Sequence, residues 1–143
     1  LKVTVVENRN VIFSAIIYGK ALALSKKFNA DVDILMGVHN NDNSTYLDCR
    51  PASVNMAKEL YRISNYGSDR IDYRAPFVDV TKSQVLKAGL EALEKLGLTA
   101  EMYSHTSSCY NPHEGKACGK CATCLDRLKA FEEAGLQDPI PYQ

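Results

Sequence analysis

Residues 32–38 read Val-Asp-Ile-Leu-Met-Gly-Val, and this stretch decides the fold class. A short apolar run bounded by polar residues is the pattern of a strand buried within a parallel sheet. Upstream, from Asn10 to about Phe28, Val11, Ile12, Ala15, Ile16, Leu22 and Ala23 cover much of the circumference of a helix, and Gly19 allows close approach. A helix this apolar all round is expected to be buried. Downstream comes a polar loop, His39 to Arg50, and then Pro51, which suits the first turn of a helix running to about Ser64. Asp72 to Phe77 reads as a second strand. Thr81-Lys82-Ser83-Gln84 is a capping box, so a helix starts at Lys82. It carries Val85, Leu86, Leu90, Leu93 and Leu96, pairs Glu91 with Lys95 on its outside, and stops at Gly97. Ala122 to Ala134 forms the last helix, ended by Gly135 and a proline-bearing tail.

Helices alternating with strands define an α/β fold with a parallel sheet. In such folds ligands bind beyond the carboxyl ends of the strands. That rule selects two loops, His39 to Arg50 and Val78 to Lys82.

The chain has 143 residues, enough for one domain that buries roughly two-thirds of its unfolded-chain surface. Lys plus Arg and Asp plus Glu number 17 each, so the charge balance gives no general pull toward nucleic acid or membrane. No stretch resembles a signal peptide or a membrane span. Asn43-Ser44-Thr45 fits a glycosylation sequon, a triplet common by chance.

Cys109, Cys118, Cys121 and Cys124 read C-x8-C-x2-C-x2-C, and with Cys49 they are all the cysteines of the chain. Neighbours this close make a poor disulfide framework and suit a tetrahedral thiolate site, one structural Zn²⁺ per chain. Iron–sulfur proteins also use C-x2-C-x2-C, but that run closes with C-x3-C-P. Here Leu125, Asp126 and Arg127 follow Cys124, and the fourth sulfur lies upstream. Metal-free reduced thiols are the third reading. Four thiolates require a reducing compartment, so a cytoplasmic location is expected. His105 and His113 flank Cys109 and are read as bystanders, because four sulfurs suffice.

Other residues carry both a chemical and a plain reading. The loop from Gly37 to Arg50 is dense in hydrogen-bonding groups. Asp42 and Asp48 can each accept paired N–H donors, Tyr46 offers a ring for stacking, and Arg50 can clamp a carboxylate or phosphate. The plain reading is a solvated loop capping the next helix. Lys82 stands at a helix start, where free N–H groups and the dipole favour an anion. Capping by Thr81 and Gln84 accounts for the same pattern. Arg9 and Asn10 precede the first helix and do similar work or merely cap it. Cys49 is a small semi-buried thiol or a nucleophile in a suitable loop.

Taken in order, Arg9-Asn10 opening an apolar helix, Asp42-x-Ser44-x-Tyr46-x-Asp48-Cys49-Arg50, Thr81-Lys82, Cys109-Tyr110-Asn111 and the cysteine spacing resemble the 7-cyano-7-deazaguanine synthase family of queuosine biosynthesis. That family belongs to the PP-loop ATP pyrophosphatase superfamily. The resemblance implies a three-layer α/β/α sandwich of the adenine nucleotide alpha hydrolase type, present in part over residues 1–100, with a zinc-binding segment over 101–143. It implies an ATP-dependent ligase that turns the 7-carboxylate of a deazaguanine into an amide with ammonia and then into a nitrile. Arg9, Asn10, Asp42, Ser44, Tyr46, Asp48 and Arg50 would bind the deazapurine, and Lys82 would be catalytic, facing the nucleotide phosphates. ATP and Mg²⁺ would serve the full-length enzyme, which is expected to be a homodimer without membrane or direct nucleic-acid partners. The superfamily's phosphate loop, Ser-Gly-Gly-x-Asp-Ser, has no counterpart here. The chain is therefore expected to be the C-terminal part of a longer enzyme, inactive alone. Asn8 stands where the family usually has Gly, and Thr45 and Leu47 replace a usual Gly and Pro. The competing readings are a divergent member acting on another deazapurine or carboxylate, a tRNA-thiolating PP-loop enzyme, and a non-catalytic zinc module.

Overall fold

A computed structural model describes residues 5–42 and 46–143. The chain divides into two compact units, Leu1–Val80 and Thr81–Gln143. The first holds α1 (Arg9–Phe28), β1 (Val32–Leu35), α2 (Pro51–Ser64) and β2 (Ile71–Arg74). The second holds α3 (Lys82–Lys95) and α4 (Ala122–Glu133). The α/β alternation and the parallel sheet appear as the sequence implies.

In the first unit β1 pairs with β2 in parallel, Val32 opposite Ile71 and Ile34 opposite Tyr73. Because side chains alternate along a strand, Ile34, Ile71 and Tyr73 share one face, and it is buried. Tyr18 and Ala21 of α1 and Val54 and Tyr61 of α2 complete that core. Tyr61 is its hub. Its ring lies 4.9 Å from Tyr18 and 5.9 Å edge-on from Tyr73. Its hydroxyl donates to the Val11 carbonyl at 3.2 Å.

Two expectations change here. The strand was read as buried on both faces, yet its other face carries Asp33, Asp72 and Arg74 joined by ion pairs, with Leu35 65% exposed. The helix read as buried all round is buried only along Ser14, Tyr18, Ala21 and Ser25. Ile12, Phe13, Ile16 and Ile17 stay exposed, because one face of a helix suffices to cover so small a sheet. Both strands also end sooner than their apolar runs. Pro76 has no N–H for a ladder, and Val78 instead closes a turn onto the Ala75 carbonyl at 3.2 Å.

Asn8 takes φ 61 ahead of α1, the left-handed conformation that Asn tolerates in place of Gly. Asn29 repeats this at the other end, its N–H reaching the Ser25 carbonyl.

In the second unit Leu86 of α3 packs on Ala130 and Phe131 of α4, with Leu90 and Tyr103 around them. Tyr103 meets Phe131 edge-on at 5.7 Å. This packing places α3 with the cysteine-bearing segment, so the compact units divide ahead of the boundary read at residue 100. The expected capping box forms: Gln84 N–H donates to Thr81 Oγ1 at 3.3 Å, and Thr81 N–H donates to Gln84 Oε1 at 2.8 Å.

Candidate functional site

The polar loop after β1 folds back on the start of α1. Asp42 ties the near end. Its Oδ2 accepts the His39 N–H at 3.2 Å and lies 3.6 Å from His39 Nε2, while its carbonyl accepts the Tyr46 N–H at 2.8 Å. Arg9 sits over the Tyr46 ring, 6.0 Å from its centroid. The Asn10 amide donates to Cys49 Sγ at 3.4 Å, and Asp48 Oδ1 lies 4.0 Å from that sulfur. The structure thus brings Arg9, Asn10, Asp42, Tyr46 and the Asp48–Cys49 pair together. Arg50 stands exposed at the N-cap of α2, and its own side chain makes no capping hydrogen bond. Ser44 lies outside the described residues.

Cys49 is buried. Burial, reinforced by the carboxylates of Asp48 and Asp42, pushes its thiol up to about 11, against the opposing pull of Arg9 and the Asn10 amide. A neutral, covered thiol is a packing group, not an activated nucleophile. Its link to Asn10 joins positions 39 residues apart and has no local sequence signal.

Lys82 does not present a free ammonium. Its Nζ pairs with Asp126 of α4 at 3.0 Å, and both side chains are mostly covered. With Val85, Leu86, Tyr103, Thr106 and Phe131 it lines a cavity of about 180 Å³.

The four cysteines converge. Their Sγ atoms all lie within 4.8 Å of one another, Cys118 and Cys124 at 4.0 Å. All four are free, at separations about twice a disulfide bond. A tetrahedral ion with bonds of roughly 2.3 Å needs sulfurs roughly 3.8 Å apart, so a small contraction completes the site. Backbone N–H groups already point at the sulfurs. Asn111 and Cys118 donate to Cys109 Sγ at 3.3 Å, and Cys121 donates to Cys118 Sγ at 3.4 Å. Such donors favour thiolates over thiols.

The thiols differ accordingly. Hydrogen bonds from the Lys120 and Cys121 N–H groups lower Cys118. Burial works against ionisation of Cys121, but Thr123 Oγ1 and the backbone at Tyr110 and Cys124 draw it down to about 5. Burial pushes Cys124, 1% exposed, up to about 12. A dication bound here would offset that last penalty. Cys121 and Cys124 occupy the N-cap and first turn of α4, where the dipole adds to the effect. The described residues can hold a metal ion here.

A parallel α/β unit with a polar loop beyond its strand, and a second unit built round a four-cysteine centre, define the class of protein. The chain belongs to the QueC family, described as queuosine biosynthesis protein QueC, whose family model matches residues 1–135. It is 38% identical over 143 residues to 7-cyano-7-deazaguanine synthase 1 of Colwellia psychrerythraea, covering all of this chain and 59% of that protein. It is 38% identical to 7-cyano-7-deazaguanine synthase of Hahella chejuensis, covering 55% of that protein. Over 147 aligned residues it is 40% identical to the enzyme of that name from Rickettsia massiliae. The chain thus spans a little over half the length of these relatives.

Proposed function

We propose that this chain is the C-terminal portion of an ATP-dependent carbon–nitrogen ligase that converts 7-carboxy-7-deazaguanine and ammonia to 7-cyano-7-deazaguanine. The observation that carries the reading is the match along the whole chain, at 38–40% identity, to proteins named as that synthase. Forming a nitrile removes both carboxylate oxygens, which is the part ATP has to drive. In this reading Asp48 accepts the N–H edge of the base and the Tyr46 ring covers its face, with Arg9, Asn10, Asp42, Ser44 and Arg50 around them. Lys82 faces the nucleotide phosphates once it gives up its pair with Asp126, and Mg²⁺ accompanies the ATP.

The four-cysteine centre is assigned to structural zinc, because four sulfurs and no open position are the donor set of a closed Zn²⁺ site. The full enzyme is a three-layer sandwich, a homodimer and cytoplasmic. The exposed apolar face of α1 and the uncovered face of β1 support a larger assembly, since parallel sheets are ordinarily covered on both sides. The test is direct. Full-length protein carrying this chain is incubated with the carboxylate, ammonium and Mg·ATP, and the nitrile is sought by mass spectrometry. Product is expected only with all components present. ATP consumption and product formation that ignore the deazaguanine carboxylate would overturn the assignment.

A further inference from the structure

The C-terminal tail forms a ring of contacts with the cysteine centre that neither the spacing of the cysteines nor the family match describes. Its anchor is Arg127, one turn into α4 and almost fully buried, as is Asp138. Arg127 Nε donates to Asp138 Oδ2 at 2.6 Å and Nη2 to Oδ1 at 2.8 Å, a bidentate pair. The Tyr142 hydroxyl donates to Asp138 Oδ2 at 2.6 Å, and the Ile140 N–H to Oδ1 at 3.3 Å. Every acceptor side of this buried carboxylate is therefore engaged, the condition under which a buried ion pair rigidifies its surroundings.

From Tyr142 the tail returns to the cysteines. The Ala117 N–H donates to the Pro141 carbonyl and the Gln143 N–H to the Ala117 carbonyl, both at 2.9 Å. Ala117 precedes Cys118. Ile140 and Tyr142 pack against the cysteine cluster itself. Gly119, at φ +66, would bring a Cβ to 3.4 Å from Tyr142 Cδ1.

The contacts close a loop: Cys124, α4, Arg127, Asp138, the tail, Ala117, Cys118. Two of the four ligands sit on opposite sides of that loop with their sulfurs 4.0 Å apart. Arg127 also reaches the approach to the third ligand, Cys109. Its Nη1 donates to Thr106 Oγ1 at 2.7 Å and its Nη2 to the Tyr103 carbonyl at 3.1 Å.

We infer that Arg127, Asp138 and Tyr142 are positioning residues of the metal centre, and that the tail from 138 to 143 governs how fast the metal is released. The inference rests on the metal reading above. A cation leaves a four-thiolate site by successive loss of ligands, which requires the Cys118 and Cys124 arms to separate. The tail ties those arms together and contributes no cysteine of its own.

The test uses the Zn²⁺-loaded chain and a chromophoric chelator in excess, following release over time. Tyr142→Phe, which removes only the hydroxyl, should accelerate release about tenfold, the effect of one lost hydrogen bond to a charged group. Asp138→Asn should accelerate it further. Tyr61→Phe serves as control, since it deletes a hydroxyl of the first unit that also donates a hydrogen bond, to the Val11 carbonyl. It should leave release unchanged even where it lowers the melting temperature. Release at the wild-type rate in both tail variants would overturn the inference, as would equal acceleration by Tyr61→Phe. Failure of the unaltered chain to take up Zn²⁺ would instead remove the metal reading, and the inference with it.

Discussion

Gly89 sits in the middle of α3, where glycine ordinarily costs about 1 kcal/mol relative to alanine. Replacing it should therefore stabilise the helix, unless something occupies the space of the new methyl. Something does. An ideal Cβ at Gly89 runs into Tyr103 Oη and comes within 3.3 Å of Tyr103 Cζ. The tyrosine cannot step aside cheaply. Its hydroxyl donates to the Leu86 carbonyl at 3.4 Å, and its ring meets Phe131 edge-on at 5.7 Å. Displacing it forfeits about 1 kcal/mol for the hydrogen bond and about 1 kcal/mol for the aromatic pair. Overpacking of a filled core adds a cost on the order of 1 kcal/mol. Against a helix gain of about 1 kcal/mol, Gly89→Ala should destabilise the chain by roughly 1–2 kcal/mol. The assay is urea unfolding of four proteins: wild type, Gly89→Ala, Tyr103→Phe and the double variant. With the hydroxyl gone, the remaining contact at Cζ is tight but tolerable, so in the Tyr103→Phe background the same substitution should be neutral or stabilising by up to about 1 kcal/mol. Stabilisation by Gly89→Ala in the wild-type background would show that Tyr103 swings freely, and the packing argument for α3 would fail.

Purified chain should be colourless with one zinc per molecule by elemental analysis, and Cys121→Ser should lose both the metal and the cooperative unfolding of the second unit; a brown protein with stoichiometric iron would refute this. In the full-length enzyme Asp48→Asn should raise the KM for the deazaguanine carboxylate by at least tenfold and leave the fold intact. Lower stability with an unaltered KM would take Asp48 out of the site. Burial resists ionisation of Asp138, but hydrogen bonds from Arg127 and Tyr142 overcome it and hold the carboxyl below its ordinary range. A depressed carboxylate contributes stability fully above its unfolded value, about 3.9, and loses that contribution as pH falls through its folded value. The stability gap between wild type and Asp138→Asn should therefore be wide at neutral pH and close below about pH 3.9. A gap that stays constant into acid would contradict the assignment.

Local chemistry was the legible part. Helix limits follow from caps that act within a few residues, as at Thr81 and Gln84, and four cysteines at short spacing announce their own centre. What periodicity could not supply was the count of covered faces. The apolar circumference of α1 reads the same whether one neighbour or several pack on it, so the exposure of Ile12, Phe13, Ile16 and Ile17 had no separate signal. Strand ends were overrun for a related reason: Met36 and Val38 are apolar like the strand before them, but the paired strand ends at Arg74 before Pro76. In the candidate site the loop and the cysteines were named from sequence. Their partners were not. Asp126 beside Lys82, Asn10 beside Cys49 and the Arg127–Asp138–Tyr142 network are each fixed by tertiary packing, and each is an ordinary surface residue type until the chain is folded.

Ile12, Phe13, Ile16 and Ile17 form a greasy rail along a single side of α1. Surfaces of this kind are what cellular triage acts upon, and chains that display them are continually sorted between chaperones and proteases. The abundance of this polypeptide in a cell is thus coupled to whatever covers that rail. Substituting Ile16, 66% exposed, with a charged residue should raise yield and lifetime of the isolated chain, and depress both wherever the rail is part of an assembled enzyme.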